Sequence, residues 1–205
     1  MTNPFDVLII GGGVSGMSCA LILGSAKNKA FAADKKIGIF THQKSSMLQE
    51  AVFNNAYGIA PGKLGSELLV ESKAHLSTLY PHIIQIPGEK IIEIEGAFPD
   101  FKVISNKNTY YVKNIIIGIG SANTFDIKGL MKFVEPHQKA LPEKQRIQLQ
   151  NTDHKVVEGI YVIGTLAGCR SQLTIAAGSG AAVATDLLSL WNGGLPAQVH
   201  DSIKK

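Results

Sequence analysis

The sequence predicts an α/β fold in which helices cover a parallel central sheet and a small antiparallel β layer lies beside it. Residues 7–10, 114–118 and 159–164 are short apolar runs without alternation. This pattern is typical of strands buried on both faces of a parallel sheet. Each run ends in glycine or is followed directly by glycine, so we expect each strand to lead into a tight turn.

The N-terminal half predicts a βαβ unit and then a second helix. The strand at residues 7–10 leads into the sequence Gly11-Gly12-Gly13-Val14-Ser15-Gly16, residues 17–26 have the spacing of a helix packed on a sheet, and residues 37–40 form the next strand. Together they predict a parallel crossover. Residues 64–79 show helical periodicity, which ends at Tyr80-Pro81.

The remaining elements complete the predicted domain. Four strand-like segments are expected to form the antiparallel layer, the last two as a hairpin: residues 83–86, 90–95, 101–105 and 109–112. Residues 130–146 are polar, contain Pro136 and Pro142, and are predicted to be a surface connection. An Ala- and Gly-rich helix at 174–191 is able to lie very close to another element. We expect one domain over residues 1–192 and a C-terminal tail at 193–205.

Composition indicates a compact globular protein, with 45% hydrophobic and 18% charged residues. The net charge of +4 comes from scattered lysines, which argues against nucleic-acid binding. Cys19 and Cys169 are far apart and the six histidines form no ligand pair, so no disulfide framework and no metal site are predicted. Without a signal peptide or an uninterrupted apolar run of about 18 residues, a cytoplasmic protein with no membrane association is expected.

The glycine-rich turn forms a Gly-x-Gly-x-x-Gly motif between a buried strand and a helix, the context in which this motif binds a dinucleotide. In that role Gly11 permits the tight turn, Gly13 leaves room for a pyrophosphate, and Gly16 lets helix and strand pack closely. The N–H groups at the helix N-terminus favour the anion. A glycine-rich turn without a ligand is the alternative.

The end of the second predicted strand departs from the dinucleotide-binding pattern. An acidic residue at this place would hold the adenosine ribose, whereas the sequence has Thr41 and His42. Thr41 is able to hydrogen-bond a ribose hydroxyl, and His42 is able to stack on adenine. A loop threonine and a surface histidine without a role are the alternative.

These segments resemble the FAD-binding domain of thioredoxin reductases, members of the pyridine nucleotide-disulfide oxidoreductase family, over nearly the whole chain outside residues 130–146. The matching segments are Gly11 to Gly16, Asn55-Ala56-Tyr57-Gly58, Gly65-Ser66-Glu67-Leu68-Leu69, Gly118-Ile119-Gly120-Ser121, residues 159–164, Gln172 and Ala176-Ala177-Gly178-Ser179-Gly180. The resemblance implies a Rossmann-like fold with FAD as the cofactor.

The resemblance also implies which residues bind FAD. They are Gly11, Gly13, Val14, Ser15, Gly16, Thr41, His42, Asn55, Lys90, Gly120, Gly164, Thr165, Gln172 and Leu173. Within this set Asn55 is expected near the isoalloxazine ring, Lys90 is expected to offer backbone groups to adenine, and Gly120 passes the cofactor closely. Gln172 and Leu173 are expected to face the flavin O2 side.

Three departures separate the chain from that family. Residues 130–146 stand where the family inserts a complete NADPH-binding domain, no Cys-x-x-Cys is present, and Thr165 replaces the aspartate that binds the ribityl chain. We therefore expect an FAD-dependent oxidoreductase with electrons from a partner protein or external NAD(P)H, and not a self-sufficient thioredoxin reductase. Cys169, beside the charge of Arg170, is a candidate redox thiolate, although a lone cysteine is more often a packing residue.

Two other functions stay open at this point. One is a non-catalytic nucleotide-binding or regulatory module, and the other is an electron-transfer subunit derived from the same fold. A large apolar patch at residues 130–134 would favour docking of such a subunit on its partner. A homodimer is a further open alternative.

Overall fold

The structure is a computed structural model that describes residues 4–43 and 46–200. Its helices are α1 (Val14–Ser25), α2 (Gly65–Leu79) and α3 (Leu173–Trp191). Its strands are β1 (Phe5–Ile10), β2 (Ile37–Phe40), β3 (Val52–Phe53), β4 (Lys63–Leu64), β5 (Ile84–Ile86), β6 (Ile91–Ala97), β7 (Asp100–Ser105), β8 (Thr109–Ile117), β9 (Val134–Pro136), β10 (Ile147–Leu149), β11 (Lys155–Val157) and β12 (Ile160–Val162).

The main sheet has eight strands, and its principal order is β11-β12-β8-β1-β2-β5. β1 lies between β8 and β2 and pairs with both in parallel, while β12 and β5 extend the parallel array on either side. β6 and β7 join this sheet through antiparallel pairing of β7 with β8. The predicted parallel central sheet with an antiparallel extension is therefore present.

Alternate residues of the central strands pack into two separate cores, one on each face of the sheet. Val7 and Ile9 of β1 face the helices, where they join residues of α1, α2 and α3. Leu8 and Ile10 face the antiparallel extension and the segment that follows β8. Burial on both faces explains why these strands read as continuous apolar runs.

α1 and α3 pack against each other on the helical face. A Cβ added at Gly180 of α3 would lie less than 3.0 Å from the Ser15 carbonyl oxygen of α1, so only glycine allows this approach. The expectation that the Ala- and Gly-rich helix lies very close to another element is confirmed. By length and composition α3 also meets the criterion for a membrane span, but Val183, Leu187 and Leu188 are buried in the core of the domain.

Two of the predicted strand assignments are wrong. Residues 83–86 were expected in the antiparallel layer, whereas β5 pairs in parallel with β2, with Gly38 opposite Ile84. Residues 109–112 and 114–118 were expected as separate strands, whereas residues 109–117 form the single strand β8. Its first part pairs with β7 and its second part with β1, so one strand belongs to both the antiparallel and the parallel arrays.

The connection at residues 130–146 contains more structure than its polar sequence indicates. It includes β9, which pairs antiparallel with β10 immediately after the connection, and short 3-10 turns at Met131–Phe133 and Pro142–Lys144. Leu130 is buried at its start. The loop between β9 and β10 is therefore held by a two-stranded sheet.

The predicted tail begins with an ordered contact. The Ala197 N–H donates to Ser189 Oγ of α3 at 3.0 Å, and Ala197 is buried against the helical core. Residues 201–205 of the predicted tail lie outside the described residues.

Candidate functional site

A cleft of about 600 Å³ opens at the carboxyl ends of the parallel strands. Its wall includes Ile10 at the end of β1, Phe40 at the end of β2, and Gly118 and Gly164 just beyond the ends of β8 and β12. The open end of a parallel α/β sheet is where ligands bind in such folds, and the volume lies within the range of small-molecule and cofactor sites.

The base of the cleft is formed by backbone segments in direct contact. Gly11 has φ +118°, and a Cβ there would lie less than 3.0 Å from the Gly118 carbonyl oxygen. A Cβ on Gly16 would overlap the Gly11 carbonyl oxygen in the same way. The turn after β1 thus contacts both the turn after β8 and the first turn of α1. This agrees with a tight turn at Gly11 and close packing of helix and strand at Gly16.

Two other glycines face open space on the cleft wall. No described protein atom lies within 4 Å of a Cβ built on Gly13 or on Gly120. Both residues line the cleft. Packing within the protein therefore does not explain glycine at position 13, and side chains at these two positions would take up space in the cleft.

Two helices direct their N-termini at the cleft. Val14 and Ser15 of α1 line it, as do Gln172, Leu173 and Ala176 at the start of α3. Neither helix has a side-chain cap or an acidic residue in its first turn. The free N–H groups and the positive ends of the two helix dipoles therefore favour negative charge in the cleft.

A buried carboxylate, Glu89, lines the cleft shortly after β5. It accepts hydrogen bonds from Ser105 Oγ, from Asn108 Nδ2 at 2.8 Å and from the Tyr110 hydroxyl at 2.9 Å. Burial raises the pKa of Glu89, but these hydrogen bonds and the charge of Lys107 together lower it by more. The pKa of Glu89 therefore lies below its ordinary value. Glu89 thus stays ionised and fastens the β7–β8 hairpin to the cleft wall.

Lys90 lies beside Glu89, and its polar groups are engaged. Its backbone N–H donates to Asn106 Oδ1 at 3.0 Å, and its carbonyl accepts from the Asn106 N–H at 2.9 Å. Its ammonium pairs with Asp126 at 2.6 Å. Since the N–H is occupied, the carbonyl, which has a second lone pair, is the backbone group of Lys90 that is able to make a further hydrogen bond.

The Gln43 side chain holds the glycine turn in place through a hydrogen bond. Its Nε2 donates to the Gly12 carbonyl at 2.5 Å, and the side chain is buried in the cleft wall. The contact orients the Gly12 carbonyl toward the Gln43 side chain. The sequence analysis missed both Gln43 and Glu89.

Arg146 is the third residue of the cleft that sequence reasoning missed. Its side chain is partly buried and lines the cleft immediately before β10. No hydrogen bond or ion pair joins its guanidinium to another described residue.

Most of the predicted site residues lie together on the cleft wall. These are Gly11, Gly13, Val14, Ser15, His42, Asn55, Lys90, Gly120, Gly164, Thr165, Gln172 and Leu173. Gly16 and Thr41 do not line it: Gly16 packs beneath the turn, and Thr41 is buried behind Gly12 with its N–H donating to the Ile86 carbonyl. Their contacts with a cofactor stay predictions.

The two cysteines are separate from the cleft wall. Cys19 is fully buried on α1, and burial raises the pKa of its thiol far above the ordinary value, so it acts as a packing residue. Cys169 is partly exposed and does not line the cleft.

The apolar patch considered at residues 130–134 is small. Met131 is 48% exposed, but Leu130 is buried and Phe133 and Val134 pack against the core. The observation that would have favoured docking of an electron-transfer subunit at this place is therefore missing.

Comparisons with known proteins agree with this architecture. Similar solved structures include an oxidoreductase from Agrobacterium tumefaciens (16% identity, TM-score 0.69, 92% of this chain and 99% of that chain). A thioredoxin reductase from Gloeobacter violaceus has 13% identity and a TM-score of 0.71, with 100% of each chain covered. A ferredoxin-flavin thioredoxin reductase from Clostridium acetobutylicum has 17% identity and a TM-score of 0.66, with 93% and 99% covered.

At these identities the likenesses show the fold alone, and they confirm the predicted Rossmann-like α/β class. A search of curated proteins finds no significant match. The family model described as pyridine nucleotide-disulphide oxidoreductase matches residues 5–180. This match spans most of the chain and confirms the resemblance, so the chain belongs to the pyridine nucleotide-disulphide oxidoreductase family.

Proposed function

We propose that the chain binds FAD in this cleft and works as an oxidoreductase that receives its electrons from a separate donor, either a partner protein or NAD(P)H. The observation that carries the proposal is the combination of an open position at Gly13 with two uncapped helix N-termini on one cleft. A dinucleotide flavin needs one place for its pyrophosphate and another for the electron-rich end of its ring, and the cleft offers both.

The pyrophosphate would lie over the glycine turn at the start of α1. There the N–H groups of Val14 and Ser15 donate to phosphate oxygens, Gly13 leaves the space, and Gln43 keeps the Gly12 carbonyl turned away from the anion. At the adenine end, His42 is exposed on the wall and the Lys90 carbonyl is free to accept a further hydrogen bond.

The flavin ring would lie between Asn55 and the start of α3, with Thr165 beside the ribityl chain. Bound FAD supplies reversible two-electron redox chemistry at this place. The N–H groups of Leu173 and its neighbours, backed by the α3 dipole, stabilise negative charge on the pyrimidine side. These residues thereby favour the reduced state of the cofactor without taking part in bond making.

Two features support an external electron donor. The loop that joins β9 and β10 runs only from residue 137 to 146, too short for a second nucleotide-binding domain. The two cysteines form no Cys-x-x-Cys pair, so a dithiol relay is missing from this chain. The Clostridium acetobutylicum neighbour is named as a ferredoxin-flavin thioredoxin reductase, which gives a precedent for a protein donor on this fold.

Cofactor retention tests the proposal most directly. Protein purified without added flavin is examined by absorbance and mass spectrometry, and apo-protein is titrated with FAD. We expect a yellow protein with FAD bound at one per chain, bleached by a reduced electron carrier and reoxidised by an acceptor. A colourless protein that binds no FAD would instead support the non-catalytic module.

The donor is tested with the same preparation. With NADPH and thioredoxin alone we expect negligible turnover, because neither an NADPH-binding domain nor a dithiol is present. Turnover that survives removal of contaminating reductase would contradict the expectation that this chain is not a self-sufficient thioredoxin reductase.

A further inference from the structure

Arg146 is one of the cleft residues that the family resemblance does not account for. Among the described residues, two Lys or Arg side chains line the cleft, Lys90 and Arg146. Lys90 is neutralised by Asp126, whereas Arg146 has no ion-pair or hydrogen-bond partner among residues 4–43 and 46–200. A partly desolvated guanidinium with no counter-charge is costly unless an anion joins it.

The position of Arg146 is fixed by its backbone. Its carbonyl accepts from the His137 N–H at 2.9 Å across the β9–β10 sheet, and the next residue, Ile147, donates to the Ser121 carbonyl at 3.0 Å. Ser121 ends the turn that starts at Gly118, and Gly118 contacts Gly11 of the glycine turn. The three residues from Gly118 to Ser121 extend at most about 11 Å. The backbone of Arg146 is therefore held near the turn at Gly118, which contacts the glycine turn.

The carboxylates of the cleft, Glu89 and Asp126, form no ion pair with Arg146. Glu89 is occupied by Ser105, Asn108 and Tyr110, and Asp126 is occupied by Lys90. Beside Ser121, Gly120 leaves the wall open, since no described atom lies within 4 Å of a Cβ built there. The space next to Arg146 is thus suited to a group that carries negative charge and several acceptor oxygens.

We propose that Arg146 binds the diphosphate of the dinucleotide in the cleft, opposite the N–H groups of α1. The inference rests on the proposed function and adds a contact that the glycine motif does not supply. Arginine suits this role because its planar fork of N–H donors matches phosphate oxygens in pairs. The contact comes from the short loop between β9 and β10, so this loop serves the binding site itself.

Arg146→Gln tests the contact, with Lys144→Gln as the matched control. Lys144 is exposed two residues away, does not line the cleft, and carries the same charge. We expect the FAD dissociation constant to rise about tenfold to a hundredfold for Arg146→Gln, as for loss of a hydrogen bond to a charged group. Lys144→Gln should change it less than about threefold, because an exposed charge is screened.

Ligands that differ in their phosphates locate the contact. ADP should lose affinity in Arg146→Gln by the same factor as FAD, whereas riboflavin, which has no phosphate, should bind the parent and the variant equally. The salt dependence of FAD binding should also become shallower in Arg146→Gln. Arg146→Lys, which keeps the charge but not the fork, should fall between the parent and Arg146→Gln.

The outcomes separate this inference from the proposed function. If the parent binds FAD and Arg146→Gln binds it equally well, or if Lys144→Gln loses as much, the diphosphate contact is overturned while the FAD site stands. An equal loss for riboflavin would also overturn it, because the effect would then not depend on phosphate. If the parent binds neither FAD nor ADP, the proposed function fails and the inference fails with it.

Discussion

The base of the cleft and its wall both depend on glycine, but for different physical reasons. Gly11 and Gly16 at the base, and Gly180 where α3 packs against α1, have no room for a Cβ, because backbone oxygens of neighbouring elements occupy its place. On the wall, Gly13 and Gly120 have no protein atom near that position. The first group is needed for the chain to fold. Gly120 has φ +83°, a backbone conformation that itself favours glycine, whereas Gly13 has φ −77°, so only at Gly13 does ligand space explain the glycine. Substitutions at Gly13 and in the first group should therefore separate binding from stability.

The largest effect is expected in the first group, for Gly180→Ala. The new methyl group would overlap the Ser15 carbonyl oxygen and force α1 away from α3, and we expect the free energy of unfolding to fall by about 3 kcal/mol or more. Urea denaturation measures this change in the free energy of unfolding. Gly178→Ala is the matched control, two residues earlier in α3 with no atom near its Cβ, and it should stabilise the helix by about 0.5–1 kcal/mol. Equal effects would remove the distinction between base and surface.

The next largest effect is expected on the wall, for Gly13→Val. The valine side chain would occupy the place of the pyrophosphate, and FAD affinity should fall at least about a hundredfold, which corresponds to about 2.7 kcal/mol. Gly13 has φ −77°, a conformation open to valine, so the free energy of unfolding should change by less than about 1 kcal/mol. Apo-protein is titrated with FAD and unfolded with urea. A variant that binds FAD normally would show that this turn does not hold the cofactor.

Glu89 sharpens the comparison because it lines the cleft wall and also holds the fold together as a buried, hydrogen-bonded side chain. Glu89→Gln should lower the free energy of unfolding by about 1–2 kcal/mol, since charge-assisted hydrogen bonds from Ser105, Asn108 and Tyr110 become neutral ones. Glu158→Gln, in an exposed ion pair with Lys155, should cost less than about 0.5 kcal/mol.

The pH dependence of the Glu89 effect has a defined sign. The folded pKa of Glu89 lies below its ordinary value, so the stabilisation is complete above the unfolded pKa of about 4.3 and is lost as the pH falls through the lower folded value. The gap in unfolding free energy between parent and Glu89→Gln should therefore close in acid. A gap that stays constant down to pH 3 would show that the charge is not its source.

The sequence predicted the base of the cleft well because its signals are local. An apolar strand, a glycine turn and a helix follow one another within residues 5–25, and each has its own pattern. The pairing of β5 and the continuity of β8 were missed because strand partners are chosen by the fold as a whole. A short apolar strand such as β5 has the same sequence pattern whether it pairs in parallel with β2 or antiparallel in the layer of β6, so its pattern does not show which partner it has.

The residues missed on the wall have partners far away in sequence. Gln43 bonds to Gly12 across 31 positions, and Glu89 bonds to Tyr110 across 21, and neither spacing has a motif. One signal was present for Glu89, a carboxylate three residues after a predicted strand. Had that strand been placed in the parallel sheet, its end would have pointed to the cleft. Thr41, in contrast, sits where the motif expects an acid, yet the fold buries it.

The smallest effect is expected for Thr165→Asp, which tests the wall at the flavin end. Thr165 lines the cleft at the start of the 3-10 turn Gly164–Ala167, and its hydroxyl makes no hydrogen bond to another residue in the described part of the chain. An aspartate there would accept a hydrogen bond from the ribityl chain of FAD. Because a bond to a charged group contributes about 1.5–3 kcal/mol against about 1 kcal/mol for a neutral one, FAD should bind up to about tenfold more tightly.

The same substitution should lower the reduction potential of the bound flavin. A negative charge placed close to the ring disfavours the anionic reduced cofactor, whereas the N-terminus of α3 favours it. Desolvation of the aspartate opposes tighter binding, so the affinity gain is an upper value while the direction of the potential shift does not depend on it. Thr165→Asn, which has nearly the same shape but no charge, is the control and should leave the potential within the error of the parent. Titration of apo-protein with FAD and side-by-side midpoint potentials measure both effects. If neither changes in Thr165→Asp, the flavin does not reach the end of β12, and the wall serves only the nucleotide half of the cofactor.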